Sequence, residues 1–123
     1  MAEPYRGVVL VVDDDQDTRD IYVLTLSGVG LRCVAVASAA EALQRASIVR
    51  FDLVVMDLGL PGREQGLALA RQLRAQTLPS PIVAVSGYER PAAPDRTLFA
   101  AYVVKPVDPE ELVAVVLRVL SEA

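Results

Sequence analysis

Five short apolar runs, separated by longer amphipathic stretches, most strongly limit how this chain can fold. The runs are rich in β-branched side chains, which is typical of strands buried on both faces of a sheet. Strands that alternate with helices predict a parallel sheet covered by helices on both faces, because right-handed crossovers place the helices there. The five predicted strands are Val8–Val12, Leu31–Val36, Leu53–Met56, Ile82–Val85 and Tyr102–Val104.

Helical periodicity fills most of the intervals between these runs. Gly28 and Gly30 close the first helix, and Ser38 with Glu41 three residues later forms a capping-box pattern at the start of the second. Asp108 is a candidate cap for the last helix. The predicted helices are Gln16–Ser27, a helix from Ser38 to about Val49, Glu64–Gln76 and Pro109–Ser121.

Length and composition indicate one globular domain. The chain has 123 residues, of which 53% are hydrophobic, enough to bury a core, so we expect a single domain over residues 1–123. No apolar run is long enough to cross a bilayer, and the N-terminus lacks the pattern of a signal peptide. The single cysteine, Cys33, suits a reducing compartment. We therefore expect a cytoplasmic protein with no membrane contact.

Charge and histidine content exclude several functions. The net charge of −4 argues against direct nucleic-acid binding, which requires a basic face. The sequence contains no histidine, which excludes histidine zinc sites, Ser-His-Asp triads and a role as histidine phosphodonor.

Polar side chains follow four of the five predicted strands: Asp13 and Asp14, Asp57, Ser86 and Lys105. The carboxyl ends of parallel strands meet at one edge of the sheet, so these groups should lie together. Three crowded carboxylates repel one another unless a cation joins them, and Mg²⁺ prefers such oxygen ligands. With a lysine and a hydroxyl beside them, they provide the groups that phosphoryl transfer needs.

With these motifs, the sequence resembles the receiver domain of a two-component response regulator, a CheY-like domain. The four motifs occur in the family's order and span nearly the whole chain. The motifs are Val11-Val-Asp13-Asp14-Asp15, Met56-Asp57-Leu-Gly-Leu-Pro61-Gly62, Val85-Ser86-Gly87 and Tyr102-Val-Val-Lys105-Pro106. The resemblance implies a doubly wound, flavodoxin-like α/β fold with strand order 2-1-3-4-5.

The resemblance also implies a role for each acidic residue. Asp57 would accept a phosphoryl group from a phosphohistidine of a sensor histidine kinase or phosphotransfer protein. Asp13, Asp14, Asp57 and the backbone carbonyl of Gly59 would hold Mg²⁺. Lys105 would pair with the phosphoryl group. Such a domain assists its own phosphorylation and dephosphorylation but is not an enzyme with a separate substrate.

Ser86 and Tyr102 are the implied switch. Ser86 would hydrogen-bond the phosphoryl group, Tyr102 would turn inward, and a downstream protein would detect the change. The resemblance further implies a cis peptide bond before Pro106. The partly apolar last helix is a candidate surface for a homodimer or another partner.

Two departures from the family's pattern affect the expected output surface. The chain is one residue longer between Pro61 and Gly66, and a few residues shorter between Ser86 and Lys105. Because Pro91 and Pro94 also lie in the second interval, we expect the helix between the fourth and fifth strands to be short, distorted or absent. Ser86-Gly-Tyr88 and the motif beginning at Lys105 also resemble receivers attached to hybrid sensor kinases.

Several other protein classes share parts of this pattern. Asp13, Asp15 and Asp17 alternate as in a calcium loop, but Thr18 replaces the glycine and Leu24 the closing glutamate that such a loop needs. A haloacid-dehalogenase-like phosphatase would require Thr or Val where Asp17 stands. A flavodoxin-like ligand-binding module would need a phosphate-cradling loop after the first strand, where this chain is acidic. A receiver-like scaffold that is never phosphorylated remains as another alternative.

Overall fold

The computed structural model describes residues 7–59, 63–76, 80–87 and 97–122. Its strands are β1 (Val8–Val12), β2 (Arg32–Val36), β3 (Leu53–Asp57), β4 (Ile82–Ser86) and β5 (Ala101–Val104). Its helices are α1 (Gln16–Ser27), α2 (Ala39–Ala46), α3 (Arg63–Ala75) and α4 (Pro109–Glu122). The five strands form one parallel sheet in the order β2-β1-β3-β4-β5, which confirms the predicted fold class.

Alternate residues of each strand face opposite sides of the sheet and contribute to two cores. The first core packs Leu10, Val54 and Met56 against α2 and α3. The second packs Val9, Val55 and their neighbours against α1 and α4. Burying each large aliphatic side chain contributes roughly 1.5–3 kcal/mol, so the two layers hold the strand ends in a fixed arrangement.

The second helix ends earlier than its sequence predicts, at Ala46 rather than about Val49. The Ser47 hydroxyl donates to the carbonyl of Gln44 at 2.6 Å, and the Ile48 N–H bonds the Arg45 carbonyl at 3.0 Å. These contacts satisfy the last carbonyls in a tight turn and stop the helix.

The predicted caps at Ser38 and Asp108 are present, and in the first of them the returning hydrogen bond goes to a different residue than predicted. The Ser38 hydroxyl accepts a hydrogen bond from the Glu41 N–H at 3.2 Å, while the Glu41 carboxylate reaches back to the N–H of Ala37 rather than Ser38. Asp108 accepts from the Glu110 N–H at 2.9 Å and so begins α4. Gly30 closes the turn after α1 with φ of 92°, a left-handed conformation that favours glycine.

The prediction for the interval between β4 and β5 concerns mainly residues 88–96, which lie outside the described part of the chain. The insertion predicted after Pro61 likewise involves residues 60–62, which are not described. The predicted cis peptide bond between Lys105 and Pro106 is present.

Candidate functional site

Strand register brings the predicted acidic residues together. Val12 of β1 pairs with Met56 of β3, so Asp13 and Asp57 occupy the next position on neighbouring strands. Both carboxylates are buried, with only 1% of Asp13 and 4% of Asp57 exposed. Each of these residues and Asp14 offers one oxygen within 4.8 Å of the others. The predicted acidic cluster therefore exists at the carboxyl edge of the sheet.

The two oxygens of Asp13 have different surroundings. Oδ1 accepts a hydrogen bond from the Asp15 N–H at 2.9 Å. Oδ2 is fully buried and has no hydrogen-bond partner among the described residues. Burial, together with the negative charge of Asp57, raises the pKa of Asp13 to about 6, although the Asp15 N–H and Lys105 oppose the shift. An oxygen in this position is suited to act as a ligand to a cation, since a buried carboxylate needs a partner.

Lys105 lies directly after β5 and reaches across the end of β4 to Asp57. Its N–H donates to the Ser86 carbonyl at 2.9 Å, which continues the sheet by one residue. Its ammonium Nζ lies 3.0 Å from Asp57 Oδ2. Burial would lower the pKa of Lys105, but the hydrogen bond to Asp57 and the surrounding negative charges outweigh it and raise the pKa. Lys105 is therefore a permanently charged partner at the edge of the site.

The other Asp57 oxygen faces the loop after β3. Oδ1 accepts a hydrogen bond from the Gly59 N–H at 2.7 Å. A Cβ at position 59 would lie 3.1 Å from this oxygen, so glycine allows the loop to approach the carboxylate closely. These contacts do not involve the Gly59 backbone carbonyl, so its predicted contribution to a metal site stays a prediction.

Ser86 and Tyr102 share one face of the sheet. Tyr102 of β5 pairs with Ala84 of β4, and Ser86 follows Ala84 by two residues on the same strand. Ser86 is fully buried, whereas Tyr102 is half-buried and packs against the first core. This arrangement places the serine at the edge of the site and the tyrosine one step behind it along the sheet.

Arg19 and Tyr22 also belong to the surroundings of the site, although the sequence motifs did not indicate them. The Arg19 Nη1 donates to the backbone carbonyl of Asp13 at 2.8 Å. Tyr22 is buried beside Lys105 and Pro106 in the wall of a cavity of about 620 Å³. Burial and the charges of Asp13 and Asp57 raise the pKa of Tyr22 to about 12, so its hydroxyl stays protonated.

A signal for Arg19 does exist in the sequence. A cation near the start of a helix is disfavoured by the helix dipole by roughly 0.3–1 kcal/mol, which is a weak indication of a compensating contact. The partner in that contact, a backbone carbonyl six residues earlier, follows only from the path of the loop.

The donor set fits a hard divalent cation. Carboxylate oxygens from the loop after β1 and from the end of β3 converge, and a lysine balances part of their charge. One of these oxygens is buried without a hydrogen-bond partner among the described residues. Oxygen-only sites of this kind suit Mg²⁺ better than softer metals.

An open doubly wound sheet with an acidic cluster and a lysine at its carboxyl edge defines the CheY-like class of α/β domains. The family model for the response regulator receiver domain matches residues 9–117, and the chain belongs to this family. It is therefore a receiver domain of two-component signal transduction, a signalling domain.

Among the described residues, the structure has no helix with the length and apolar character needed to cross a membrane.

Known proteins support this assignment. The chain is 33% identical over 126 residues to the DNA-binding transcriptional regulator NtrC of Escherichia coli K12, covering 94% of this chain and 25% of that protein. It thus spans about a quarter of the length of the curated relatives it matches. A CheY-like receiver domain from Methylobacillus flagellatus is 32% identical with a TM-score of 0.83, covering 94% of this chain and 99% of that one. NtrX from Brucella abortus is 30% identical with a TM-score of 0.87, and the match covers 96% of this chain and 28% of that one.

Proposed function

We propose that Asp57 is the phosphoacceptor of this receiver domain. The observation that carries the proposal is the position of its buried carboxylate, 3.0 Å from the Lys105 ammonium and within a cluster with Asp13 and Asp14. A nucleophile for phosphoryl transfer needs neighbouring positive charge to reduce repulsion from the incoming group, and Lys105 supplies part of it.

The donor is a phosphohistidine of a sensor histidine kinase or phosphotransfer protein, the partner class of this family. An Asp57 carboxylate oxygen forms a bond to phosphorus while the phosphorus–nitrogen bond breaks. The bonding electron pair stays on the imidazole nitrogen, and the product is an acyl phosphate on Asp57. Lys105 is 38% exposed, so its ammonium can shift from the carboxylate to a phosphoryl oxygen.

Asp13, Asp14, Asp57 and the Gly59 carbonyl would hold Mg²⁺ in this domain. When bound, the ion neutralises negative charge on the phosphoryl oxygens. The fit rests on the buried Asp13 Oδ2, which has no hydrogen-bond partner among the described residues and needs a cation or a proton.

The output depends on Ser86 and Tyr102. A phosphoryl group on Asp57 adds negative charge beside the end of β4, where Ser86 directly follows Val85, the register partner of Asp57. A shift of Ser86 toward that group frees space on the face that Tyr102 shares, and the tyrosine moves inward. A downstream protein then binds the altered surface.

We further propose that residues 1–123 act as one receiver domain that works in the cytoplasm without direct contact with nucleic acid. The acidic net charge of −4 supports the last point, since phosphate backbones repel it. The domain catalyses no turnover of a separate substrate.

The proposal is tested by incubation with acetyl phosphate or phosphoramidate in the presence of Mg²⁺, followed by intact-mass measurement and peptide mapping. We expect one phosphoryl group, located on Asp57, and none when EDTA replaces Mg²⁺. A domain that folds and binds its partners but takes up no phosphoryl group would instead support the scaffold alternative.

A further inference from the structure

Arg19 links α1 to the loop that carries the acidic residues. Its Nη1 donates to the backbone carbonyl of Asp13 at 2.8 Å, while its N–H bonds the Asp15 carbonyl at 3.0 Å within the helix. The side chain therefore turns back over the start of its own helix. The hydrogen bond to the Asp13 carbonyl holds the guanidinium in this orientation.

Three hydrogen bonds hold Asp13 from different directions. Its N–H donates to the Val36 carbonyl of β2 at 3.2 Å, its Oδ1 accepts from the Asp15 N–H at 2.9 Å, and its carbonyl accepts from Arg19. Backbone and carboxylate are thus both fixed, and Oδ2 is the atom left without a partner among the described residues. A ligand held in this way presents one oxygen in one direction.

We propose that Arg19 is a positioning residue for the cation site, holding the Asp13 backbone so that Oδ2 is presented to the ion. This inference rests on the proposed function, because it assumes that Asp13 takes part in Mg²⁺ binding. Arg19 would act through the Asp13 backbone and not as a ligand of the ion.

Positioning by Arg19 and simple electrostatics predict opposite effects of an Arg19 substitution on Mg²⁺ affinity. Arg19 brings positive charge near an acidic cluster, so charge alone predicts that its removal strengthens Mg²⁺ binding. Loss of positioning predicts the reverse, because a mobile loop must be ordered again each time the ion binds. The sign of the change in affinity therefore separates the two effects.

The experiment compares Arg19→Gln and Arg19→Lys with wild type in Mg²⁺ titrations. Binding is monitored by calorimetry and by NMR of the backbone amides. We expect Mg²⁺ binding about tenfold weaker in R19Q, the lower end of the usual effect of residues that orient metal ligands. R19K should lie between, since the shorter ammonium side chain keeps the charge but not the reach of the guanidinium. Arg118→Gln is the matched control, because Arg118 is exposed on α4, and its binding should equal that of wild type.

A second readout uses the protein without added cation. Hydrogen exchange at the Asp15 N–H should be faster in R19Q than in R118Q, because the loop that it closes has lost one of its fixed points. A role for Arg19 confined to general stability would lower the melting temperature without selective exchange at this amide.

The possible results separate the positioning role of Arg19 from the Mg²⁺ site on which that role depends. Wild-type protein that binds no Mg²⁺ overturns the cation site and this inference together. Wild-type binding with equal or tighter binding in R19Q overturns the inference alone. If R19Q does not fold, R19K is compared with R118Q, and equal Mg²⁺ affinity in those two variants overturns it.

Discussion

The Lys105 ammonium lies 3.0 Å from Asp57 Oδ2, although β4 lies between β3, which ends at Asp57, and β5, which Lys105 follows. The ion pair therefore crosses the carboxyl end of β4, whose last residue is Ser86. Any group attached to Asp57 meets the lysine and the end of β4 together. Under the proposed function, a phosphoryl group on Asp57 would therefore alter both the charge balance of the site and the surroundings of β4.

Lys105→Ala should slow phosphoryl uptake on Asp57 by about a hundredfold, because removing one preorganised charge donor at a transition state has an effect of this order. Time-resolved intact-mass measurement with phosphoramidate and Mg²⁺ gives the rate. Arg118→Ala removes a positive charge whose ion pair with Glu122 is exposed and 4.0 Å long, and should leave the rate unchanged. Equal rates in the lysine variant and wild type would show that the ion pair has no part in the chemistry.

The raised pKa of Asp13 predicts that the stability of the protein depends on pH, and that a bound cation changes this dependence. Its pKa rises from 3.8 to about 6 on folding, mainly through burial, so between these values the folded state binds more protons than the unfolded state. In EDTA, raising the pH through this window therefore lowers the free energy of unfolding contributed by Asp13. Above about pH 6 the ionised carboxylate is available to Mg²⁺, and the cation should stabilise the protein most there.

Urea denaturation across this range, in EDTA and in Mg²⁺, tests the linkage. Asp15 shifts in the opposite direction, since its bonds to Thr18 lower its pKa, so the quantity to follow is the difference between wild type and Asp13→Asn. We expect this difference to fall with rising pH in EDTA. A difference that stays constant would contradict the assignment of the raised pKa to Asp13.

Gly66→Ala tests the packing of α3 on the loop after Asp57. A Cβ at Gly66 would lie 2.9 Å from the Leu58 Cα and 3.0 Å from its carbonyl oxygen, so the backbone next to Asp57 would have to move. We expect a loss of about 1–3 kcal/mol in the free energy of unfolding. Helix propensity alone would give a gain of about 1 kcal/mol, so a stabilised variant would contradict the close approach. Gly87→Ala, with nothing within 4 Å of the added carbon, is the control.

Ser86→Ala tests the coupling between the site and Tyr102. We expect the variant to accept a phosphoryl group or beryllofluoride on Asp57, but with a smaller NMR shift of the Tyr102 ring than in wild type, because the hydroxyl that would follow the added charge is missing. Ser121→Ala, which removes a hydroxyl at the end of α4, should respond as wild type does. A full Tyr102 response in S86A would show that the serine does not transmit the signal.

The sequence predicted the sheet and the residues at its edge because both depend on simple rules. Apolar runs ending in Asp13, Asp57 and Lys105 place those residues at one edge, once the strands are parallel. The strand order itself came from the family resemblance, since apolar runs contain no information about which strand lies beside which.

Features that depend on the reach of individual side chains were not predictable in this way. The early end of α2 depends on the Ser47 hydroxyl, and the contact of Arg19 with the Asp13 carbonyl depends on the path of a loop. Which Asp13 oxygen has no hydrogen-bond partner in the described part of the chain likewise depends on the bond from the Asp15 N–H to Oδ1. Hydrophobic periodicity reports which face of an element is buried, not where a long side chain ends.

The most direct test of the account is the location of the phosphoryl group after labelling with phosphoramidate and Mg²⁺. Peptide mapping should place it on Asp57 in wild type, and the Asp57→Asn variant, similar in shape but without a nucleophilic carboxylate, should remain unlabelled. Equal labelling of the Asn variant, or a label on another residue, would contradict the central claim that the carboxylate paired with Lys105 is the phosphoacceptor.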